Sequence, residues 1–501
     1  MSEWLKNLWA DLQIVYSNYN AGYSWIVRLL LILLVAGLLF WALLRALRAG
    51  RQRCRCSSPL KSHRPDDALT ARAAESLAQA VAVPTVTGDR EAISRLDDYL
   101  ESRYPLVNSR LNCARMPDGS LLIRWRSGGE TEKLPVLLCG HLDVVPPGSG
   151  WTMEPFAGER RDGDIFGRGS VDCKATVISL LEAAENLLQQ GFRPERDIYF
   201  AFGADEETGG TAGAAAIAQL LGRRGLRFDL VLDEGGYIAE NHLDRPEHAA
   251  ALILVGEKRS CNFRLTATTN GGHSSTPGHP TALGALSEAI CRIESAQPHH
   301  HVLPVVRDYL NASLPAMSFG KRFAVCNMPI SQPILARVFR DDPRMSALMR
   351  STVAPTQMEG APAPNILPVR AEAVANARLL PGDTPGELLR HLRALLADLP
   401  IRVELETDGG ESPLSSASHP MFHLWSSTLH GMFPRLPCLA TLMTGATDSR
   451  HYANLADCVL RFTPLVRTAR ENAGVHGADE CLSELSLGLA VELYMDFIRK
   501  L

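Results

Sequence analysis

A chain of 501 residues is too long for one compact domain of usual size and predicts two or three. Its 21% charged and 46% hydrophobic residues are ordinary for a globular protein. A formal net charge of -4 argues against a nucleic-acid binder, since no basic surplus exists to neutralise phosphates. The eleven cysteines show no paired ligand spacing, which favours a reducing compartment over a disulfide framework.

Residues 1–24 place Trp4, Leu5, Leu8, Trp9, Leu12, Val15, Tyr16 and Tyr19 at helical spacing. An amphipathic helix lying in a membrane interface and a face packed on a neighbouring protein both fit. Residues 25–47 follow as an expected transmembrane helix. No charge interrupts Leu29 to Leu44, and the run is long enough for a hydrocarbon core of about 30 Å. Trp25 and Trp41 suit the two interfaces, and Arg28 can snorkel. A cleaved signal peptide is the competing reading, but the polar region ahead of the run is long and no clean small-x-small site follows. Arg45, Arg48, Arg51, Arg53 and Arg55 after the span outnumber Lys6 and Arg28 on the other side, which predicts a cytoplasmic location for everything downstream. Residues 48–67 read as an Arg-rich linker in which Cys54 and Cys56 could carry acyl chains in a eukaryotic cell.

Globular texture begins near residue 68. A helix is predicted over 68–83, ending before Pro84, then strands over 120–127 and 133–141. A helix over 176–190, a strand over 197–204, a helix over 211–221 and a strand over 228–235 complete an alternation that predicts a mostly parallel α/β sheet. The texture changes near Glu257. Strands over 261–269, 371–380 and 401–406 with helices over 281–295 and 386–398 predict an inserted α+β unit, residues 257–407. An irregular, proline-containing stretch is expected within it, about residues 298 to 362. The sheet domain is thus expected in two parts, 68–256 and 408–501. No repeat or low-complexity tract appears.

Polar motifs fall just after the apolar strands, where ligand sites of such sheets form. His141 and Asp143 share a face of an extended chain, and a carboxylate there can orient an imidazole for a metal. Read singly, they serve as well as a turn histidine and a cap. Asp172, after the turn Gly167–Gly169, could be a helix N-cap or a bridging carboxylate. Asp205, Glu206 and Glu207 repel one another unless a cation neutralises them, and adjacent residues point differently, so one can bind metal while the other faces water. Asp233 ends a strand, and His476 stands between Val475 and Gly477. Together these hard oxygens and borderline nitrogens suit two zinc ions around a shared water, with no thiolate required.

The motifs GHLDVVPPG, DGDIFGRGSVDCK, DEETGG, VLDEGG, GGHSSTPG, PNILP, GATDSR and VHG-x-DE, in this order from about residue 70 to the C-terminus, resemble the co-catalytic zinc aminoacylase and carboxypeptidase superfamily. The likeness is greatest to its carboxypeptidase S and N-acyl amino-acid synthase/hydrolase branches. The resemblance implies that His141, bridging Asp172 and Asp233 hold one zinc and that Glu207 and His476 hold the second. It implies Glu206 as general base, Asp143 as the residue orienting His141, and a cis peptide after Asp172. Cobalt or manganese could replace zinc. The inserted unit would be a lid whose His273 stabilises the oxyanion, with Asn365, Arg378 and Arg450 on the substrate. The chain departs from relatives at Arg259, where a glycine is usual, and at Cys173, where a polar or acidic residue is usual.

The expected activity is therefore metal-assisted amide hydrolysis by a membrane-anchored enzyme acting on N-acyl amino acids, possible substrates including lipophilic ones. Carboxypeptidase or dipeptidase trimming is the first alternative, and an inactive membrane-tethered binding protein the second. The partners expected are a small molecule or peptide with a free carboxylate, the membrane, no nucleic acid, and a second copy of the chain through the lid.

Overall fold

The computed structural model describes residues 24–51, 58–244, 248–328 and 342–501, together with Ala10, Leu335 and residues 337–339. Apart from Ala10 and Ser24, the amphipathic segment expected over residues 1–24 lies outside the described residues, as do Cys54 and Cys56. The chain forms two compact units. One joins Met1–Arg53 to Leu310–Asp341, and the other joins Cys54–Tyr309 to Asp342–Leu501.

In the first unit a single helix spans Ser24–Arg51. Its stretch Ile26–Gly50 is long and apolar enough to cross a membrane. The large apolar side chains between Leu29 and Trp41 stand 37 to 63% exposed. The following turns are different, because small residues let another element close in. Ala42 and Ala46 are buried, and Asn327 donates its Nδ2 to the Ala42 carbonyl at 3.4 Å. Gly50 faces the Arg322 guanidinium so closely that a Cβ there would collide with it. Asn327 directly follows the helix Phe319–Cys326, which carries Arg322.

The second unit is built on a large, mainly parallel sheet. Its strands run β1 (Asn112–Arg115), β2 (Leu121–Trp125), β6 (Ile198–Gly203), β3 (Val136–His141), β7 (Leu230–Asp233), β17 (Val459–Arg461), β9 (Ala250–Glu257), β8 (Tyr237–Ala239) and β18 (Val466–Arg467), with β16 (Cys438–Met443) also on β9. β3 is parallel to both β6 and β7, and β7 to β17, so these strands end at one edge. β3, β6 and β7 are buried along their whole length, as expected of a parallel sheet covered on both faces. Helices Asp67–Val81, Lys174–Gln189 and Glu484–Lys500 pack into the core on one side, and Ala214–Arg223 contributes to a second cluster with Phe228 and Tyr452.

A four-stranded antiparallel sheet follows β9 directly. Its order is β12 (Thr352–Glu359), β14 (Arg370–Leu379), β10 (Arg259–Thr268), β15 (Ile401–Asp408). Inward residues alternate along β14, from Ala371 through Ala373, Ala375 and Ala377 to Leu379, against helices Ala282–Ser295 and Pro385–Leu395. Two small sheets complete the unit, one of β11 (Gly272–His273) and β13 (Ile366–Leu367), the other of β4 (Glu159–Arg161), β5 (Asp164–Phe166) and β19 (Cys481–Ser483).

The stretch expected to be irregular, about 298 to 362, differs from that expectation. It holds helices Pro304–Ala312, Phe319–Cys326 and Pro343–Leu348 before β12. Pro304 and Pro343 mark the starts of two of them, because a first-turn proline loses no helical hydrogen bond.

Candidate metal centre

The buried strand β3 delivers His141 to the sheet edge, its side chain 1% exposed. Nδ1 donates to the Asp143 carbonyl at 2.9 Å, which leaves Nε2 as the lone-pair nitrogen. That nitrogen faces Asp172 Oδ1 at 3.0 Å. The Asp172–Cys173 peptide is cis. On the other side of Asp172, His476 Nε2 lies 3.3 Å from Oδ2 and 3.3 Å from Glu207 Oε2.

Asp143 works differently from the sequence geometry alone. Its carboxylate accepts from Thr87 Oγ1 at 2.7 Å and from the backbone N–H groups of Glu206 (3.2 Å) and Glu207 (3.3 Å). It therefore ties the turn after β6 to the end of β3, while its Oδ1 stays 3.5 Å from His141 Nδ1. The three adjacent acids of that turn separate as their directions require. Asp205 turns away and accepts from Ala212 N and Gly213 N ahead of the helix Ala214–Arg223. Glu206 and Glu207 remain on the cluster side. Burial pushes the Glu206 carboxyl up to about 8, with Asp172 and Glu207 acting in the same direction.

Asp233 does not join this cluster. Its Oδ1 accepts from Glu234 N at 2.9 Å and its Oδ2 from Ser449 N at 2.7 Å, so both oxygens are engaged by the backbone. The next residue is the one turned inward: Glu234 offers an oxygen within 4.8 Å of ligand atoms of His141 and Cys173. Burial, reinforced by Asp172, Asp233 and Glu206, pushes its carboxyl well up. The motif VLDEGG contains both acids, and successive residues at a strand end face opposite ways, so the sequence could not choose between them.

Glu480 is the second residue that the sequence reading passed over, although it closes the motif VHG-x-DE. Its fully buried carboxylate accepts from Arg168 NH1 (2.6 Å) and from the backbone N–H groups of Gly169 (3.1 Å), Val171 (2.7 Å) and Asp172 (3.1 Å). One side chain thus binds the loop carrying Asp172 to the loop carrying His476. His476 itself sits at φ 57, a left-handed backbone that residues with a Cβ seldom adopt. Cys173 is buried, its Sγ 3.4 Å from His141 N, and burial pushes its thiol well up.

The donors fit a divalent cation. Two ligands at about 2.0 Å on a tetrahedral ion stand about 3.3 Å apart, close to the His141–Asp172, His476–Asp172 and His476–Glu207 separations. A lone-pair nitrogen facing a carboxylate oxygen needs positive charge between them. Among the described residues Glu207 Oε1 is buried without a hydrogen-bond partner. The local excess of negative charge also pushes His476 up to about 10, through Asp172 and Glu207.

The remaining expected residues lie elsewhere. His273 is exposed, with Nδ1 2.8 Å from Ser275 Oγ, and pairs across β11 and β13 with Ile366. Asn365, also exposed, accepts from Ser274 N through its carbonyl, so His273 and Asn365 are neighbours. Arg378 on β14 is half-buried and donates Nε to Asn376 Oδ1. Arg450 donates to the Gly209 carbonyl at 2.8 Å, next to the acidic turn. Burial lowers the pKa of Arg378, and Arg450 adds to that effect, while Glu257 and Glu206 oppose it. Among the described residues neither arginine makes an ion pair.

Residues 137–500 match the model of peptidase family M20/M25/M40. The chain is 32% identical over 444 residues to a probable carboxypeptidase S-like 2 of Dictyostelium discoideum, covering 85% of this chain and 84% of that one. It is also 32% identical over 436 residues to the N-fatty-acyl-amino acid synthase/hydrolase PM20D1 of Xenopus tropicalis, covering 85% of each. Human carnosine dipeptidase 1 has the same fold, with a TM-score of 0.64 at 15% identity over 87% of this chain and 96% of that one.

Proposed function

The chain belongs to peptidase family M20/M25/M40, a family of metal-dependent hydrolases that typically use zinc, and from that premise we propose that it is a membrane-anchored di-zinc amidohydrolase of N-acyl amino acids. His141, Asp172 and Glu234 would hold one ion, and Glu207 and His476 would share Asp172 with the other. Zinc, when bound, supplies Lewis-acid polarisation of the scissile carbonyl and lowers the pKa of water. Glu206 takes the proton of the attacking water and returns it to the leaving amine, the general acid–base role open to a carboxylate beside the metal-ligating groups. Asp143 keeps Glu206 and Glu207 in register with His141. His273 would donate to the oxyanion once the four-stranded unit closes as a lid, and Asn365 would move with it.

The observation that carries the substrate class is the pair Arg378 and Arg450. Among the described residues these two guanidinium groups have no carboxylate partner, both act electrostatically on Glu206 or feel its charge, and a substrate with a free carboxylate would complete them. The bare apolar surface from Leu29 to Trp41 supports an anchor, with the Arg-rich flank and the enzyme on the cytoplasmic side. An enzyme held at a bilayer favours lipophilic acyl chains. A homodimer through the four-stranded unit, whose outer strands β12 and β15 each leave one edge unpaired among the described residues, belongs to the same proposal.

Peptide trimming is the second reading, favoured by equal identity to the carboxypeptidase S-like relative. Full-length protein incubated with N-oleoyl-phenylalanine and with a dipeptide, each with and without chelator, separates the two. Chelator-sensitive release of oleate is the expected result. Cleavage of the dipeptide alone would replace the proposal with the second reading.

A further inference from the structure

The outer end of the large sheet concentrates positive charge that hydrolysis does not use. Among the described residues β1 pairs only with β2, and two grooves beside them share Leu111, Asn112, Arg124 and Arg126. Their volumes are about 400 and 480 Å³. Between them they are lined by Arg110, Arg115, Arg124, Arg126, Arg193 and Arg224, and by no aspartate or glutamate. In a chain with 55 acidic and 51 basic side chains, such a segregation is not a sampling of the average surface.

Three of these arginines have internal partners. Arg115 pairs with Asp97 and Glu101, and Arg124 with Asp197 at 2.6 Å. Arg110 donates to the Leu188 carbonyl. Arg126, Arg193 and Arg224 are exposed, and among the described residues none makes a side-chain hydrogen bond or an ion pair. Three unneutralised guanidinium groups around joined grooves repel one another, and an anion removes that repulsion. A carboxylate would neutralise only one of them. A phosphate carries more than one charge near neutrality and presents three acceptor oxygens to the forked donors. Asn108, Asn112 and Ser127 add neutral hydrogen-bonding groups to the lining.

We infer that the β1–β2 edge carries a binding site for a phosphate-bearing anion, supplied either as a free polyphosphate or as a lipid headgroup. The site is separate from the metal centre and does not depend on the hydrolase reading.

The test uses the full chain in neutral detergent micelles. Calorimetry follows binding of inorganic pyrophosphate in one arm and of phosphatidic acid doped into the micelles in the other. Saturable binding should weaken about fivefold for each of Arg126→Gln, Arg193→Gln and Arg224→Gln, and should weaken with added salt. Arg161→Gln, outside the grooves, should leave it unchanged. Melting temperatures of the three variants should match the parent and report that they are folded. Binding in the first arm only identifies a free anion, and binding in the second only identifies a headgroup. No binding in either arm, or binding indifferent to all three substitutions (as for pyrophosphate drawn to the metal centre), overturns the inference.

Discussion

Two sets of buried or half-buried carboxylates surround the ends of β3, β6 and β7, and they differ in what answers them. Glu480, Asp143 and Asp233 are answered by protein: four donors on the first, three on the second and two on the third. Asp172, Glu207 and Glu234 face imidazole nitrogen, thiol or one another, and Glu207 keeps a buried oxygen without a partner. A carboxylate whose lone pairs are taken by N–H groups gains little from a cation and holds the backbone instead. One whose lone pairs converge on other acceptors is stable only when positive charge sits among them. The same residue types therefore divide into scaffold and binding site according to their hydrogen-bond partners.

The sharpest break in this comparison would come at Glu206, which belongs to neither set. Glu206→Gln should lower kcat by about 10²- to 10⁴-fold while metal content, read by elemental analysis, stays at the parent value. Turnover within a few-fold of the parent would remove it as the proton carrier.

The adjacent acids Asp233 and Glu234 separate the two sets directly. Glu234→Gln should cost more than the roughly 10- to 100-fold in metal affinity that outer residues typically contribute, with little change in melting temperature of the metal-free protein. Asp233→Asn should retain metal and lose about 1–3 kcal/mol of stability, because a backbone donor loses its acceptor. The opposite pattern in metal titrations and thermal melts would exchange the two assignments.

Glu480→Gln tests whether a scaffold carboxylate acts through the loops that it joins. Metal affinity should fall by about 10- to 100-fold, because Asp172 and His476 are no longer held in register. A variant with parent affinity would reduce Glu480 to a fold-stabilising role.

The smallest effect concerns a buried lysine between β9 and β10. Lys258 donates to the carbonyls of Ala347 and Arg350 at 2.9 Å, and burial lowers its pKa from 10.5 to about 7. Between those values the unfolded chain holds a proton that the folded chain does not, so this lysine makes stability rise with pH. Thermal melts at pH 7 and pH 9 should show a smaller rise for Lys258→Met than for the parent. Equal rises would mean that Lys258 stays charged when folded.

Much of the architecture was legible in the sequence. Apolar runs at 133–141, 197–204 and 228–235 alternate with helical periodicity, which is the signature of a parallel sheet, and motif order alone pointed to the family. Less legible was the stretch about 298 to 362, where Pro304 and Pro343 read as breakers but begin helices. The grouping of Leu310–Asp341 with the N-terminal helix also left no sequence signal, since small residues such as Ala42 and Ala46 look inert until another helix packs on them.

By itself the sequence determined which chemical groups are available and roughly where each enters the fold, because strand ends and turns follow from local periodicity. Tertiary structure decided which of two neighbouring acids turns inward, which carboxylates are used up by backbone donors, and which arginines are left without partners. Those outcomes depend on atoms from segments hundreds of residues apart meeting at a few ångströms, and no local pattern in the chain encodes such distances.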